Sequence, residues 1–304
     1  MDIEYRLAKP ADLPAVAITF ATAIDDLDKK HGFFTHPSST SPPNPQYAFW
    51  LGKDPASFWV ATHRGRVVGY TYSFLRGSFW FLADLFILPE YQGRGIGGDL
   101  IKRTLYSWKG HEISNKALIT PAFNRASVSL YMRHGMLPRQ PVYIARAERD
   151  KLVKTLGSRS SELEVDEVSD YDRVSGTLAR LHTSALGFPP GWHNELFFQI
   201  QLASCLLFRI RGRTVGYSFT RPNGRVGPLV VRSDTFFRPA FELTLRVAAE
   251  KTKGEITVFF PATNAEAVRA TIEHRFSIAY PLLFLSSKPM GDWGNYLFYS
   301  PGLM

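Results

Sequence analysis

The chain is 304 residues long, 45% apolar and 21% charged, and carries 36 Lys+Arg against 27 Asp+Glu for a formal charge of +9. That length gives room for about two domains of roughly 150 residues with full cores, and the composition excludes a chain that stays disordered. The single cysteine, Cys205, excludes an intramolecular disulfide framework and any cysteine-built metal centre, while the positive balance suits an anionic partner such as nucleic acid, a lipid surface or a polyphosphate cofactor.

Asp2 and Glu4 stand at the start in place of the basic residues of a leader, and no apolar run reaches the roughly 18 residues of a membrane helix. A soluble, cytoplasmic protein with no membrane partner is expected. Ile3 to Leu7 reads as a strand, and Leu13, Val16, Phe20, Ile24 and Leu27 give helical spacing to Ala11–Asp28. Pro37 to Pro45 is a loop rich in Ser, Thr and Pro. Phe58–Thr62, Val67–Phe74 and Trp80–Leu88, turned at Arg64-Gly65 and Arg76-Gly77, read as an antiparallel meander. A glycine cluster, Gly93 to Gly98, leads into a helical segment from Asp99 to Trp108, followed by a strand at Ala117–Thr120 and a helix at Arg125–His134. Residues 147–162, poor in apolar side chains, read as a linker, dividing the chain into 1–149 and 150–304.

The two halves repeat a pattern. Gly65-Arg66-Val67-Val68-Gly69-Tyr70-Thr71 returns as Gly212-Arg213-Thr214-Val215-Gly216-Tyr217-Ser218, 147 residues later, and Pro121-Ala122-Phe123-Asn124 returns as Pro261-Ala262-Thr263-Asn264, 140 residues later. Two matches in the same order indicate a duplicated domain whose second copy is shorter by about seven residues between them. Charge is not duplicated: residues 1–156 hold 20 Lys+Arg against 13 Asp+Glu, the remainder 16 against 14.

Gln92-Gly93-Arg94-Gly95-Ile96-Gly97-Gly98 lies where a strand gives way to a helix. Glycines there admit a ligand close to the backbone, and the N–H groups of a helix start favour phosphate. A plain turn and a dinucleotide fingerprint are the other readings of the same residues; the second is weakened because the loop follows an antiparallel meander and no acidic residue ends the next strand. A Walker lysine is absent.

The run Leu85-Phe86-Ile87-Leu88-Pro89-Glu90-Tyr91-Gln92-Gly93-Arg94-Gly95-Ile96-Gly97 resembles the acetyl-CoA signature of the GNAT superfamily of N-acetyltransferases, with Gln92, Gly95 and Gly97 at its core positions. Asn124, Ala126, Leu130, Tyr131 and Gly135 resemble the later motif of that family. The likeness covers residues 3 to about 147 and, more weakly, the second half. It implies an α/β protein of two GNAT-like domains, each a mixed, mostly antiparallel central sheet flanked by helices. It also implies acetyl-CoA as acyl donor, with Phe86, Ile87 and Leu88 offering strand-edge backbone to pantetheine. Gln92, Gly93, Arg94, Gly95, Ile96 and Gly97 would cradle the pyrophosphate. Asn124 is carried over as a cofactor-side residue, although its place before a helix in both copies suits an N-cap.

Acetyl transfer to an amine needs a base for the amine proton, stabilisation of the oxyanion and a proton for the departing thiolate. Tyr131 matches the family tyrosine that supplies that proton. The segment Leu82-Ala83-Asp84-Leu85 resembles the strand on which relatives carry a glutamate base, but Ala83 fills that position. Asp84, Glu90 or water remains, and strict strand alternation would let only one of positions 83 and 84 face the cleft, position 83 by the family pattern. Asp84 is therefore a tentative catalytic residue. No histidine pair has metal spacing, so no metal is expected.

In the second copy Leu229-Val230-Val231 reads as the fourth strand, Arg232 to Pro239 replaces the glycine cradle, and Thr271 and Arg275 replace Tyr131 and Gly135. The shortening is expected at or near that loop. The second domain is thus expected to be degenerate, supporting the first and walling its acceptor site. The expected acceptor is a small-molecule amine or, alternatively, a peptide lysine or N-terminus; a non-catalytic acetyl-CoA binder is the rival. A nucleic-acid partner is not expected despite Arg209, Arg211 and Arg213. A monomer or homodimer is expected.

Overall fold

The computed structural model describes residues 2–33, 45–157, 162–199 and 203–304. Nearly all of the Pro37–Pro45 loop lies outside the described residues. The chain divides into two compact units, residues 1–118 with 123–136, and residues 119–122 with 137–304.

The first unit runs β1 (Glu4–Leu7), α1 (Leu13–Lys30), α2 (Pro45–Lys53), β2 (Phe58–His63), β3 (Arg66–Arg76), β4 (Phe79–Ile87), α3 (Ile96–Tyr106), β5 (Asn115–Pro121) and α4 (Arg125–Arg133). Strands β1 to β4 pair antiparallel in sequence order and β5 joins β4 in parallel. Helix α3 closes one face: Ile96 and Leu100 are buried with Ala61, Val68 and Leu88. Helices α1 and α2 close the other. There the face shared by Phe58, Tyr70 and Tyr72 meets Tyr47 and Trp50, with Trp50 stacked on Tyr72 at 4.5 Å and Tyr47 edge-on to Tyr70 at 6.0 Å. Large flat rings at alternate strand positions make that face.

The second unit runs β6 (Leu137–Glu148), α5 (Arg149–Leu156), β7 (Glu164–Val168), α6 (Tyr171–Leu186), α7 (His193–Gln199), β8 (Ser204–Ile210), β9 (Arg213–Thr220), β10 (Arg225–Val231), α8 (Phe237–Lys251), β11 (Glu255–Pro261), α9 (Ala265–Glu273), β12 (Ser277–Ser286) and β13 (Tyr296–Leu297). Its sheet order is β12-β6-β11-β10-β9-β8-β7, with β10 and β11 parallel, the other neighbours antiparallel, and β13 set against β10. Residues 119–122 at the end of β5 belong here, where the Ala122 N–H donates to the Pro281 carbonyl at 3.1 Å.

The expected division at 149/150 is not where the chain parts. Residues 137–148 form β6, paired with β11 from Val142↔Pro261 to Glu148↔Glu255 and with β12 on its other side. The expected linker is largely helix α5, whose Leu152 and Leu156 are buried in the second core. Its apolar residues are few but sit at i and i+4, enough to bind one helical face to a core.

The duplication is physical. Arg64-Gly65 and Arg211-Gly212 both have positive φ at both residues, the pattern of a tight hairpin turn. Gly69 faces Ile87 across β3 and β4 as Gly216 faces Val231 across β9 and β10. The missing seven residues are dispersed: Val231 lies 144 residues after Ile87, and Phe237, which opens α8, lies 141 after Ile96, which opens α3. The hairpin before the fourth strand and the loop after it each lost three, so the shortening lies on both sides of that strand.

The two glycines differ in what they spare. A Cβ at Gly216 would lie 2.7 Å from the Val230 carbonyl oxygen, whereas at Gly69 the nearest obstacle, at 2.6 Å, is the movable tip of Ile87. Gly216→Ala is expected to destabilise by about 1–3 kcal/mol, the usual range for overpacking, and Gly69→Ala by less. Thermal midpoints of the two variants test the order.

Candidate functional site

The ladder between β4 and β5 runs from Phe79↔Asn115 to Leu82↔Leu118 and stops, although β4 continues to Ile87. At the same point β4 carries a bulge: Ser73 pairs with Leu82 and Tyr72 with Asp84, leaving Ala83 as the extra residue. The bulge turns the strand out of its partnership. It also removes the strict alternation on which the choice between positions 83 and 84 rested.

Beyond the bulge the pairing with β3 fixes which backbone groups face outward. The Leu88 N–H donates to the Val68 carbonyl at 2.9 Å. In an antiparallel ladder every second residue bonds the same neighbour, so Leu88 and Phe86 are turned to β3 while Leu85 and Ile87 present their backbone to the open side. This corrects the expectation for Phe86 and Leu88, and adds Leu85. Phe86 instead gives its ring to the α1 face, edge-on to Phe20 at 4.8 Å and stacked with Tyr70 at 5.7 Å. Leu88 is buried in the core.

The glycine loop follows directly. Gly93 and Gly95 have φ of +74° and +84°, conformations that side chains resist, and a Cβ added at either would meet no atom within 4 Å. Gly95 is the N-cap of α3, which therefore starts at Ile96, three residues before the expected Asp99. No side chain caps this end, so the first N–H groups of α3 are directed at whatever lies before the helix. Ile96 contributes only its backbone there, because its side chain is buried. Gln92 anchors the loop: its Nε2 donates to the Ile87 carbonyl at 2.9 Å. Arg94 is exposed, donates to the Glu90 carbonyl at 3.0 Å and lies over the Tyr91 ring.

Asp84 lies on the α1–α2 face with Phe86. The Tyr70 hydroxyl donates to its Oδ2 at 2.9 Å, and the Tyr47 hydroxyl is 3.1 Å from that of Tyr70. Burial of the carboxyl pushes its pKa up to about 7, against the opposing pull of the two tyrosine hydroxyls. Sequence reasoning missed Tyr47 and Tyr70; the only signal was an acid on an apolar strand, which demands partners when buried. Tyr131, on α4, is buried, and its hydroxyl is held protonated well above the ordinary tyrosine range, first by burial and further by the charge of Asp84. Asn124 accepts from the Ser127 N–H at 3.1 Å and is the N-cap of α4. Glu90, the other candidate base, is exposed and paired with Arg66 at 3.5 Å. The site thus combines an open strand edge, an uncapped helix start, a carboxyl poised near neutrality and a protonated phenol. No cluster of metal-ligating side chains occurs among the described residues, and no described helix is long and apolar enough to cross a membrane.

Residues 23–136 match the family model described as Acetyltransferase (GNAT) family. No curated protein matches the chain. Among solved structures, a protein of Pyrococcus horikoshii provisionally described as an acetyltransferase aligns with a TM-score of 0.78 at 16% identity, covering 99% of this chain and 96% of that one. A GCN5-related N-acetyltransferase from Sphaerobacter thermophilus aligns at 0.64 and 15%, covering 96% and 98%. A tandem GNAT protein from the clavulanic acid biosynthesis pathway aligns at 0.58 and 14%, covering 95% and 99%. At such identities these likenesses concern the fold. Residues 23–136 thus make up a GNAT-like domain, and the chain as a whole has the fold of two GNAT-like domains in tandem.

Proposed function

We propose that the first unit is an acetyl-CoA-dependent N-acetyltransferase acting on a small primary amine. The observation that carries this reading is the continuity of an open β4 edge at Leu85 and Ile87 with the uncapped start of α3. An extended amide-bearing chain can bond the one while its pyrophosphate rests on the other. Gln92 holds the corner between them, and the room above Gly93 and Gly95 admits the phosphates. Arg94 adds positive charge at the mouth.

In the reaction this reading requires, Asp84 accepts a proton from the ammonium form of the acceptor, and the neutral amine attacks the thioester carbonyl. Tyr131 gives its proton to the departing thiolate and is protonated again by the proton that the adduct nitrogen sheds as the amide forms. A carboxyl near 7 takes a proton from an amine more readily than an ordinary aspartate, and its tyrosine partners hold it in place. Phe20 and Phe86 beside Asp84 favour an acceptor whose amine is carried on an apolar body. Thiol release from acetyl-CoA with a panel of amines and peptides is the direct test; tight acetyl-CoA binding with no acceptor-dependent release would make the unit a binder only.

Tyr131→Phe is expected to lower turnover by about 10² to 10⁴, the range for a lost acid catalyst, with acetyl-CoA affinity nearly unchanged by calorimetry. Gly95→Val is expected to weaken acetyl-CoA binding, and Phe236→Ala, in the second unit, to leave it intact.

Asp84 also ties activity to pH. Its folded pKa of about 7 lies above the ordinary 3.8, so its contribution to stability is full below about pH 4 and is lost as pH rises through 7. The thermal midpoint of Asp84→Asn is therefore expected to gain on wild type between pH 4 and 8. In wild type kcat/KM is expected to rise through pH 7. That limb is expected to vanish in the variant, whose residual rate should be low and flat.

A further inference from the structure

We propose that residues 293–304 are a built-in ligand of the second unit, an extended peptide seated in the gap between β10 and β11 in the place where the first unit leaves its fourth strand open. The ladder of β10 with β11 holds only at Arg225↔Thr257 and Val226↔Val258. After that point β10 takes β13 as its partner, through Leu229↔Leu297 and Val230↔Tyr296. The opposite edge of the same segment reaches β11, where the Phe298 N–H donates to the Phe259 carbonyl at 3.1 Å. One short strand thus bridges both diverging strands.

The register identifies the position. Leu229 and Val231 correspond to Leu85 and Ile87, the residues whose backbone faces the open side in the first unit, since Gly216↔Val231 repeats Gly69↔Ile87. The bulge is repeated as well: the register shifts between Val226 and Leu229, so Gly227 and Pro228 stand for Ala83 and Asp84. Gly227 is fitted to the inserted segment. Its φ is +117°, and a Cβ there would lie 2.3 Å from the Phe298 carbonyl oxygen. Asn264, the counterpart of Asn124, caps α9 through the Ala267 N–H at 2.9 Å and in addition donates from Nδ2 to the carbonyls of Trp293 at 3.0 Å and Gly294 at 3.2 Å. Tyr296, Leu297, Phe298 and Leu303 are fully buried. The His193 ring bonds the Met304 carbonyl at 2.8 Å.

The chemistry recognised here is that of an extended apolar peptide adding a strand. The glycine cradle, the carboxyl and the tyrosine of the first unit are replaced by Ser233–Phe236, Pro228 and Thr271. The second unit therefore takes its own chain and no acyl-CoA.

Hydrogen exchange on the full chain, with and without saturating acetyl-CoA, provides the first test. The Phe298 amide is expected to exchange at least about 100-fold more slowly than an unpaired amide, as core strand amides do. Acetyl-CoA should leave residues 296–298 unchanged and bind with a stoichiometry of one. Faster exchange at 296–298 on adding acetyl-CoA, or a stoichiometry of two, would overturn the proposal. Second, a chain ending at Asp292 is expected to lose more than about 4 °C in thermal midpoint, the shift of a kilocalorie or more in a unit of this size. A synthetic peptide of residues 293–304 should restore it and bind one to one, displaced by excess peptide and not by acetyl-CoA. A folded shortened chain that ignores the peptide refutes the idea. Gly227→Ala in the full chain serves where that chain fails to fold: it should raise exchange at Phe298 by about 10-fold or more, and unchanged exchange there would count against the proposal.

Discussion

Two parallel strands that begin bonded and then diverge leave backbone N–H and C=O groups facing each other across a widening gap, and a peptide group buried there without a partner costs about 1–3 kcal/mol. Both units of this protein contain that divergence, β4 from β5 after Leu82 and β10 from β11 after Val226. Something with the hydrogen-bonding pattern of a strand has to meet the open edge. In the second unit the chain supplies it, with Tyr296 to Phe298. In the first unit no described strand pairs with Leu85 and Ile87 on that side, where Gln92 reaches the Ile87 carbonyl, and the edge runs into the uncapped start of α3. The bulge, the glycines and the asparagine caps are arranged around this one requirement.

The duplicated framework makes the divergence of the two units readable residue by residue. Turn, close-approach glycine, bulge and helix cap all persist, because each answers a backbone demand that does not depend on what occupies the gap. The side chains of the candidate site do not persist: Asp84 gives way to Pro228 and Tyr131 to Thr271. Asn264 shows a structural residue taking on extra work, since it caps its helix as Asn124 does and also holds the segment that fills its unit.

Much of this was legible in the sequence. The strand runs turned at Arg64-Gly65 and Arg76-Gly77 and the two-part repeat placed the meander and the duplication, and the glycine cluster marked the loop that opens α3, because each is a local pattern with a local cause. The tandem fold followed from two motifs in order. What was not legible depends on pairing between distant segments. Whether residues 137–148 serve the first or the second unit is decided by Val142↔Pro261 and its neighbours, more than a hundred residues apart. The roles of Phe86 and Leu88 turned on a register shift of one residue at Ala83, which alternation cannot foresee. Tyr47 and Tyr70 reach Asp84 from different elements, and nothing in their spacing announces it. The short run Tyr296–Leu297 is too brief to carry a period at all.

The way the units share the chain also orders their assembly during synthesis. All of the first unit has been made once residue 136 is added, so its meander and cradle can close while the rest is still being translated. The second unit draws on residues 119–122 and on β6 long before its own helices exist, and its diverging strands stay unbridged until residues 296–298 have left the ribosome. An emerging chain therefore passes through a long interval with an exposed, unpaired strand edge on β10, the kind of surface that recruits neighbouring chains. Stalling or premature termination before residue 298 would prolong that interval and leave a nascent protein with one finished half and one adhesive one.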